Sequence, residues 1–421
     1  MSDDPVSHVD SRNIVCRKLA VPPSSQANPE KMPTLKLKRV LDRRARAGHA
    51  WIFSNELESA DPGLAPGDAV RVLDAKGRFL GSATYHPNSL IIARFYSRQL
   101  EPLGPEQLRA RLSRAAELRA RLYPDRRSFR VVHSEADELP GLILDRYGDQ
   151  WVIQFLTVGM ERRREALLAA VRDLFAPASL LERSEGPALE HEGLSPHRAF
   201  LWGETRGRAI VDEEYGSFEV DLLEGQKTGF FLDQRENRLN LRGRVEGRRV
   251  LDLFSYVGAW SVAAAKFGAA EVLAVDSSTS AVALAEANFR RNDVQSQCRA
   301  IAADAFDFLR EQERNKTQFD AIILDPPAFA KSRKQVRSAL RGYHEINLRA
   351  LRLLAPGGLL FTCSCSHHVT RELFQDMVRG AAADARRQCR LLAPLSQSPD
   401  HPILLGTPET EYLKGLVLEV L

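Results

Sequence analysis

The sequence predicts an α/β protein whose C-terminal half is a doubly wound, mostly parallel sheet. A small central α/β domain and an N-terminal β barrel precede it. Three observations carry that prediction. Beyond residue 213, hydrophobic strands alternate with alanine-rich helical stretches, the pattern of a parallel sheet covered by helices. Residues 33–103 instead show short runs of strand period between polar turns, which suits a small barrel. Residues 104–212 mix amphipathic helices with strands.

Residues 1–32 combine Ser, Pro, Asp and Gln with little apolar material and read as a disordered extension. Cys16 is assigned no chemistry there. In the barrel region Leu35, Leu37 and Val40 start the pattern, and His49-Ala-Trp-Ile-Phe-Ser follows. Residues 67–74 alternate at strand period, and residues 79–85 and 90–96 supply two more strands. In the central region Leu108, Leu112, Ala115, Leu118 and Leu122 share one helical face, with Arg109, Arg111, Arg114, Arg119 and Arg121 off that stripe. Strands at 141–145 and 151–155 and a helix at 161–175 complete it. Beyond residue 213, residues 217–222 and 229–233 read as a hairpin. Strands are expected at 249–254, 272–276, 319–325 and 359–363, with a helix at 280–292. Residues 402–405 and 412–420 read as two strands closing the edge.

The 421-residue chain is 44% hydrophobic and 27% charged, so core material is not limiting. It has no apolar run long enough to span a membrane and no apolar signal segment. Five cysteines without repeating spacing argue against a disulfide scaffold; a cytoplasmic protein, monomer or homodimer, is expected. The net charge of +4 is uneven. Residues 36–46 hold Lys36, Lys38, Arg39, Arg43, Arg44 and Arg46 against one Asp, and residues 101–130 hold eight Arg against four acids. Basic runs of this kind are an electrostatic footprint for nucleic acid, although either alone is also an ordinary solvated face.

The first strand of the parallel sheet ends Leu251-Asp-Leu-Phe-Ser-Tyr-Val-Gly, a strand, a turn with Gly258, then a helix. Such a turn wraps a small ligand closely. It lacks the glycines and the cation that a pyrophosphate requires, so a cofactor without phosphates fits better. Asp252, Asp276 and Asp304 stand at three successive strand ends. An acid in the place of Asp276 accepts both hydroxyls of a ribose, and Asp304 is placed for an adenine amine. Each acid alone is equally well a helix cap. The triplet resembles the S-adenosylmethionine (SAM) site of Rossmann-like methyltransferases, and carboxylates suit a cationic sulfonium.

Two further strand ends carry reactive groups. Ile322-Ile-Leu-Asp-Pro-Pro-Ala-Phe ends on Asp325, and Pro326 and Pro327 stiffen the turn. That turn presents Phe329 for stacking on a base. Phe361-Thr-Cys-Ser-Cys-Ser ends on Cys363 and Cys365, whose side chains face the same way in an extended segment. A lone cysteine is more often an inert buried hydrophobe, but strand ends in this fold face the ligand. His367 and His368 with the two thiols lack a second ligand cluster, so no metal is expected. A thiolate that adds to carbon 6 of a pyrimidine turns carbon 5 into a nucleophile for a methyl sulfonium.

On these residues the chain resembles the cytosine-5 RNA methyltransferases that carry an N-terminal PUA domain, over roughly residues 33–421. The resemblance includes Glu138-Leu-Pro-Gly-Leu-Ile-Leu-Asp-Arg-Tyr and Gln226-Lys-Thr-Gly-Phe-Phe-Leu-Asp-Gln-Arg as well as the runs above. It implies a PUA-like barrel, a central α/β domain and a Rossmann-like SAM domain, acting on RNA, with large-subunit ribosomal RNA as the expected partner. It implies Asp276 and Asp304 on ribose and adenine, Ser255, Tyr256, Gln226, Lys227 and Phe230 around the methionine, and Asp325 between cofactor and base. The family nucleophile lies seven residues past the Gly-Gly turn, at Cys365. Cys363 is then an extra thiol. Two other readings stand beside it. One is an exocyclic-amine or guanine methyltransferase using the Asp-Pro-Pro run, although Ala328 intervenes before the aromatic. The other is a non-catalytic RNA-binding assembly factor.

Overall fold

The computed structural model describes residues 31–205, 207–330 and 332–421; the extension at 1–30, Cys16 included, lies outside the described residues. The chain divides into two compact units. One runs to Thr205 and includes Leu405–Thr407; the other comprises Arg206–Leu404 and Pro408–Leu421.

The first unit holds two sheets. Strands β1 (Thr34–Leu37), β2 (Trp51–Phe53), β3 (Leu57–Ala60), β4 (Ala69–Leu73), β5 (Phe79–Tyr85) and β6 (Ile91–Ser97) hydrogen-bond in the order β2-β6-β5-β4-β1-β3. The end strands β2 and β3 are consecutive, joined only by the turn Ser54–Glu56. A flat six-stranded sheet is roughly 24 Å wide, and so short a link reaches about 15 Å at most. The sheet must therefore curl on itself, which makes it barrel-like around Leu35, Leu37, Ile52, Val70, Val72 and Ala83.

The second sheet contains β7 (Ser128–His133), β8 (Leu142–Tyr147), β9 (Gln150–Phe155), β10 (Ser179–Ser184) and β11 (His197–Trp202), paired in sequence order. Helices α1 (Pro105–Leu122) and α2 (Arg164–Phe175) bury Leu108, Leu112, Leu167 and Val171 with it. The expected stripe on α1 needs correction. Leu122 is exposed, whereas Arg111 and Arg119 are buried. Arg119 holds Asp137 through two bonds of 2.5 and 2.8 Å and donates from Nε to the Arg130 carbonyl at 3.0 Å. A forked guanidinium so satisfied can replace an apolar residue at a core position.

The second unit opens with the hairpin β12 (Arg208–Glu213) and β13 (Gly216–Asp221). The predicted partner, residues 229–233, is not a strand. Gly229 turns at φ +130° and Leu232–Gln234 forms a 3-10 turn. The main sheet runs β16 (Cys298–Ala302), β15 (Glu271–Asp276), β14 (Arg249–Leu253), β17 (Phe319–Leu324), β18 (Leu354–Ser364), β20 (Lys414–Val420), β19 (Cys389–Ser396). The first five are parallel, and β20 is antiparallel to both its neighbours. Helices α3 (Ala259–Lys266), α4 (Thr279–Arg291), α5 (Ala305–Arg314), α6 (Val336–Leu353) and α7 (Arg371–Asp384) connect the strands. The chain order reverses between β14 and β17, the switch point where such sheets bind ligands. One expected tail strand also needs correction. Residues 402–405 are irregular, with Ile403 and Leu405 exposed, and the edge is β19 instead. Pro394 within β19 is tolerated because the strand lies at the edge.

Candidate active site

The turn after β14 builds one wall. Phe254, Tyr256 and Gly258 all take positive φ, at +64°, +48° and +78°. For the first two this costs roughly 1–2 kcal/mol each, offset by bonds that hold the loop. Ser255 N donates to Val275 O at 3.2 Å, and Tyr256 N donates to Asp276 Oδ2 at 2.9 Å. The Tyr256 hydroxyl accepts from Gln226 N and donates to Gly229 O, tying the Gln226–Gly229 turn to the same loop. At Gly258 a Cβ would meet the Phe289 ring at 2.7 Å, so packing and conformation both require glycine.

These segments enclose a pocket at the switch point. Gln226, Lys227, Phe230, Ser255, Tyr256, Asp276, Asp325, Pro326, Pro327 and Cys365 all line it. Ten of the residues expected at the site therefore meet in one place. Sequence reading missed Phe231, Asp233, Gln234, Arg238, Phe254 and Trp260, which share the wall. Gln234 and Asp233 lie within the Gln226–Arg235 run and Trp260 just past Gly258, so position along the chain was the available signal.

The three strand-end acids part company. Asp276 lines the pocket. Asp252 is fully buried and takes a 2.6 Å bond from the Ser261 hydroxyl, outside the pocket wall. Burial, with a smaller push from Asp325, raises its carboxyl to about 7. Asp304 is exposed and caps α5, accepting from Phe306 N and Asp307 N at 2.9 and 3.0 Å. Phe329 also departs from expectation. Its ring lies 4.5 Å from Tyr343 and near Phe306 and Phe254, in an aromatic cluster rather than on the pocket wall.

Asp325 accepts from Gln234 Nε2 at 2.7 Å and from Trp260 Nε1 at 3.1 Å. Burial raises its carboxyl above the usual range. Cys365 Sγ lies 3.8 Å from the Pro326 carbonyl, so the two reactive strand ends touch. Burial pushes its thiol up to about 11, with Asp325 and Asp233 adding to the rise and Lys227 and Lys414 opposing it. Cys363 is fully buried beneath, against Gly415, and burial raises its thiol well above the usual range. The loop after β18 is pinned by Lys414, which donates to Ser366 O and Val369 O at 2.7 and 2.6 Å.

The pocket fits a sulfonium cofactor. It joins carboxylates to the aromatic rings of Phe230, Phe231, Phe254, Tyr256 and Trp260, which favour a cation. The buried Ser255 hydroxyl has no partner among the described residues, a polar atom left for a ligand.

In the first unit, Lys38, Arg39, Arg43 and Arg44 are exposed. Lys36 pairs with Glu58 at 3.3 Å, and Arg44 lies over the Phe53 ring. Among the described residues no helix is long and apolar enough to cross a membrane.

Comparison with known proteins places this geometry. Residues 35–98 match a PUA-like domain, and residues 146–402 match the S-adenosylmethionine-dependent methyltransferase family. A candidate SAM-dependent methyltransferase from Streptococcus mutans shares the fold, with a TM-score of 0.80 at 23% identity, covering 92% of this chain and all of that one. Fold, pocket and matches together define a SAM-dependent methyltransferase with an N-terminal PUA-like domain. Ribosomal RNA large subunit methyltransferase I of Aeromonas hydrophila is 40% identical over 376 residues, 88% of this chain and 95% of that protein. Its namesake in Tolumonas auensis is 38% identical over 394 residues, 92% and 99% of the two chains. The chain belongs to the ribosomal RNA large subunit methyltransferase I family.

Proposed function

We propose that the protein methylates carbon 5 of a cytosine in large-subunit ribosomal RNA through a covalent adduct on Cys365. The observation that carries this reading is the meeting of Cys365 and Asp325 in the wall of the cofactor pocket. The names of the relatives support the RNA. Bound SAM supplies an electrophilic methyl group; Ser255, Tyr256, Asp276, Gln226, Lys227 and Phe230 would hold it.

Cys365 Sγ, as thiolate, bonds to carbon 6 of the base, and the electron pair displaced onto the ring makes carbon 5 nucleophilic. Lys227 and Lys414 favour the thiolate against burial. Asp325, inclined to hold its proton, donates to the ring nitrogen as charge develops there. Once carbon 5 carries the methyl group, its proton passes to water, the electron pair re-forms the carbon 5–carbon 6 double bond, Cys365 leaves as thiolate, and the ring nitrogen returns its proton to Asp325. Asp304, which caps α5 through Oδ1, stays proposed for the adenine amine of the cofactor. Lys36, Lys38, Arg39, Arg43 and Arg44 are proposed as phosphate contacts, with Pro326, Pro327 and Phe329 shaping the base side.

RNA carrying 5-fluorocytidine tests the scheme, because fluorine at carbon 5 blocks the final proton loss. A stable protein–RNA adduct by intact mass is expected, and its absence from Cys365→Ser. An unchanged adduct in Cys365→Ser would remove Cys365 from the mechanism. Full methylation by the Cys363→Ser/Cys365→Ser double variant would favour an exocyclic-amine reaction at the Asp-Pro-Pro turn.

A further inference from the structure

The 3-10 turn Leu232–Gln234 sets an acid, Asp233, into the pocket wall. Its side chain is 2% exposed. One oxygen is well supplied: Oδ2 accepts from Lys227 Nζ at 2.5 Å and from the Tyr412 hydroxyl at 2.6 Å. Oδ1 is buried and has no hydrogen-bond partner among the described residues. Buried polar atoms in native structures are nearly always paired, so one left bare in a pocket is matched to a ligand. Burial alone would neutralise this acid. The charges of Lys227 and His401 and the two bonds to Oδ2 outweigh it and hold the carboxyl well below the usual range. Asp233 is therefore an ionised group that can only accept.

Asp325 is differently placed, because each of its oxygens already accepts a bond, from Gln234 and from Trp260. The charge of Asp233 reaches the reactive groups, opposing ionisation of Asp325, Cys363 and Cys365. Asp233 and Cys365 line the same pocket.

Thiol addition at carbon 6 does not itself distinguish cytosine from uracil, since both rings accept it. They differ at position 4, where cytosine offers an amine and uracil an oxygen. An acceptor-only group facing that position pairs with the first and repels the second. We propose that Asp233 Oδ1 accepts the exocyclic amine of the target base and makes the enzyme choose an amino pyrimidine over an oxo pyrimidine. This rests on the cytosine-5 reading above and adds the residue that enforces it. Asp233 acts on specificity, while Cys365 does the covalent chemistry.

The test compares trapping by short RNAs that differ only in 5-fluorocytidine or 5-fluorouridine at the target position. In either adduct Cys365 sulfur is bonded to carbon 6 and a methyl group to carbon 5. The methyl has left the sulfonium, and the fluorine blocks elimination. Wild type should trap the cytidine RNA about 10⁴-fold faster, the scale on which a site built for a hydrogen bond rejects an analogue lacking it. Asp233→Asn, whose amide can also donate, should narrow that ratio by at least ~10-fold. Asp233→Glu keeps an acceptor-only group and should keep the preference at a lower rate. SAM affinity of both variants, read by calorimetry, separates an effect on the base from one on the cofactor, because Asp233 also holds Lys227; the ratio of the two trapping rates should shift by more than any change in SAM affinity.

A ratio unmoved by Asp233→Asn, or moved equally by Asp233→Glu, overturns the assignment and leaves the cytosine-5 reading standing. Loss of SAM binding in proportion to trapping places Oδ1 on the cofactor and overturns it too. Failure of wild type to trap either RNA removes both readings together.

Discussion

Helix α1 of the first unit and the pocket of the second are both rich in charge, and they use it in opposite ways. On α1 three arginines pair with acids of the first unit itself, buried at Arg119 and Arg111 and exposed at Arg114, and of these only Arg111 leaves a buried nitrogen, Nε, without a hydrogen-bond partner among the described residues. Arg119 forks onto Asp137, Arg111 pairs with Glu101 at 2.5 Å, and Arg114 pairs with Glu138 at 2.5 Å. In the pocket, acids outnumber cations, and Asp233 Oδ1, Ser255 Oγ and Arg238 Nε have no hydrogen-bond partner among the described residues. Charges paired within the fold are structural, whereas bare polar atoms gathered in the wall of one pocket are open to a ligand. A run of arginines in sequence therefore says less about binding than bare polar atoms brought together in one pocket.

The largest effect that sharpens this contrast concerns the two thiols. Cys365→Ser should lower methyl transfer by about 10⁴-fold or more, the scale of losing a covalent nucleophile. Cys363→Ser, fully covered beneath the pocket, should retain activity within a few-fold. Single-turnover assays with labelled cofactor measure both. Equal losses would erase the distinction between them.

Next comes the structural side. Arg119→Ala leaves Asp137 buried without its partner and should cost roughly 3–5 kcal/mol in urea unfolding. The same substitution should not weaken RNA binding at temperatures where the protein stays folded. A specific loss of RNA affinity with unchanged stability would return α1 to the nucleic-acid footprint.

Asp252 gives a pH-dependent test. Its folded carboxyl titrates at about 7 against 3.8 in the open chain. The folded form therefore binds the extra proton between those values, and stability falls as pH rises through that window. The full cost, present above pH 7, is at most ~4 kcal/mol. Asp252→Asn should gain on wild type between pH 4 and pH 8, read from unfolding midpoints. Parallel pH profiles for the two proteins would mean the buried acid carries no such cost.

The smallest effect lies at the exposed cations. Arg39→Ala and Arg43→Ala should each weaken RNA binding modestly and flatten the slope of log affinity against log salt by about one. A slope unchanged by either would place the RNA elsewhere.

Much of this was legible in the sequence. The strands β14, β15, β17 and β18 are short, almost wholly apolar runs, as doubly covered strands must be, and the acids and thiols follow them directly. What stayed hidden has a physical cause in each case. Asp252, Asp276 and Asp304 look alike as strand-end acids. Yet Asp252 lies within β14, Asp276 is the last residue of β15, and Asp304 lies beyond β16. With a side-chain period of two, such offsets decide between core, pocket and helix cap. The strand Cys389–Ser396 was masked by Pro394 and by the exposure of Leu391 and Leu392 at the sheet edge. Residues 229–233 read as a strand because Phe230, Phe231 and Leu232 are apolar. The positive φ of Lys227 and Gly229 bends them into the pocket wall instead. Arg119 was counted as surface because only a partner distant in sequence, Asp137, makes its burial affordable.

The position of the transferred methyl group tests the central claim most directly. Large-subunit ribosomal RNA from cells lacking the gene, incubated with the purified protein and SAM, is digested to nucleosides and analysed by mass spectrometry. We predict one new 5-methylcytidine per RNA, absent when Cys365→Ser replaces the wild type. A methyl group on an exocyclic amine or on guanine, or 5-methylcytidine formed equally well by Cys365→Ser, would contradict it.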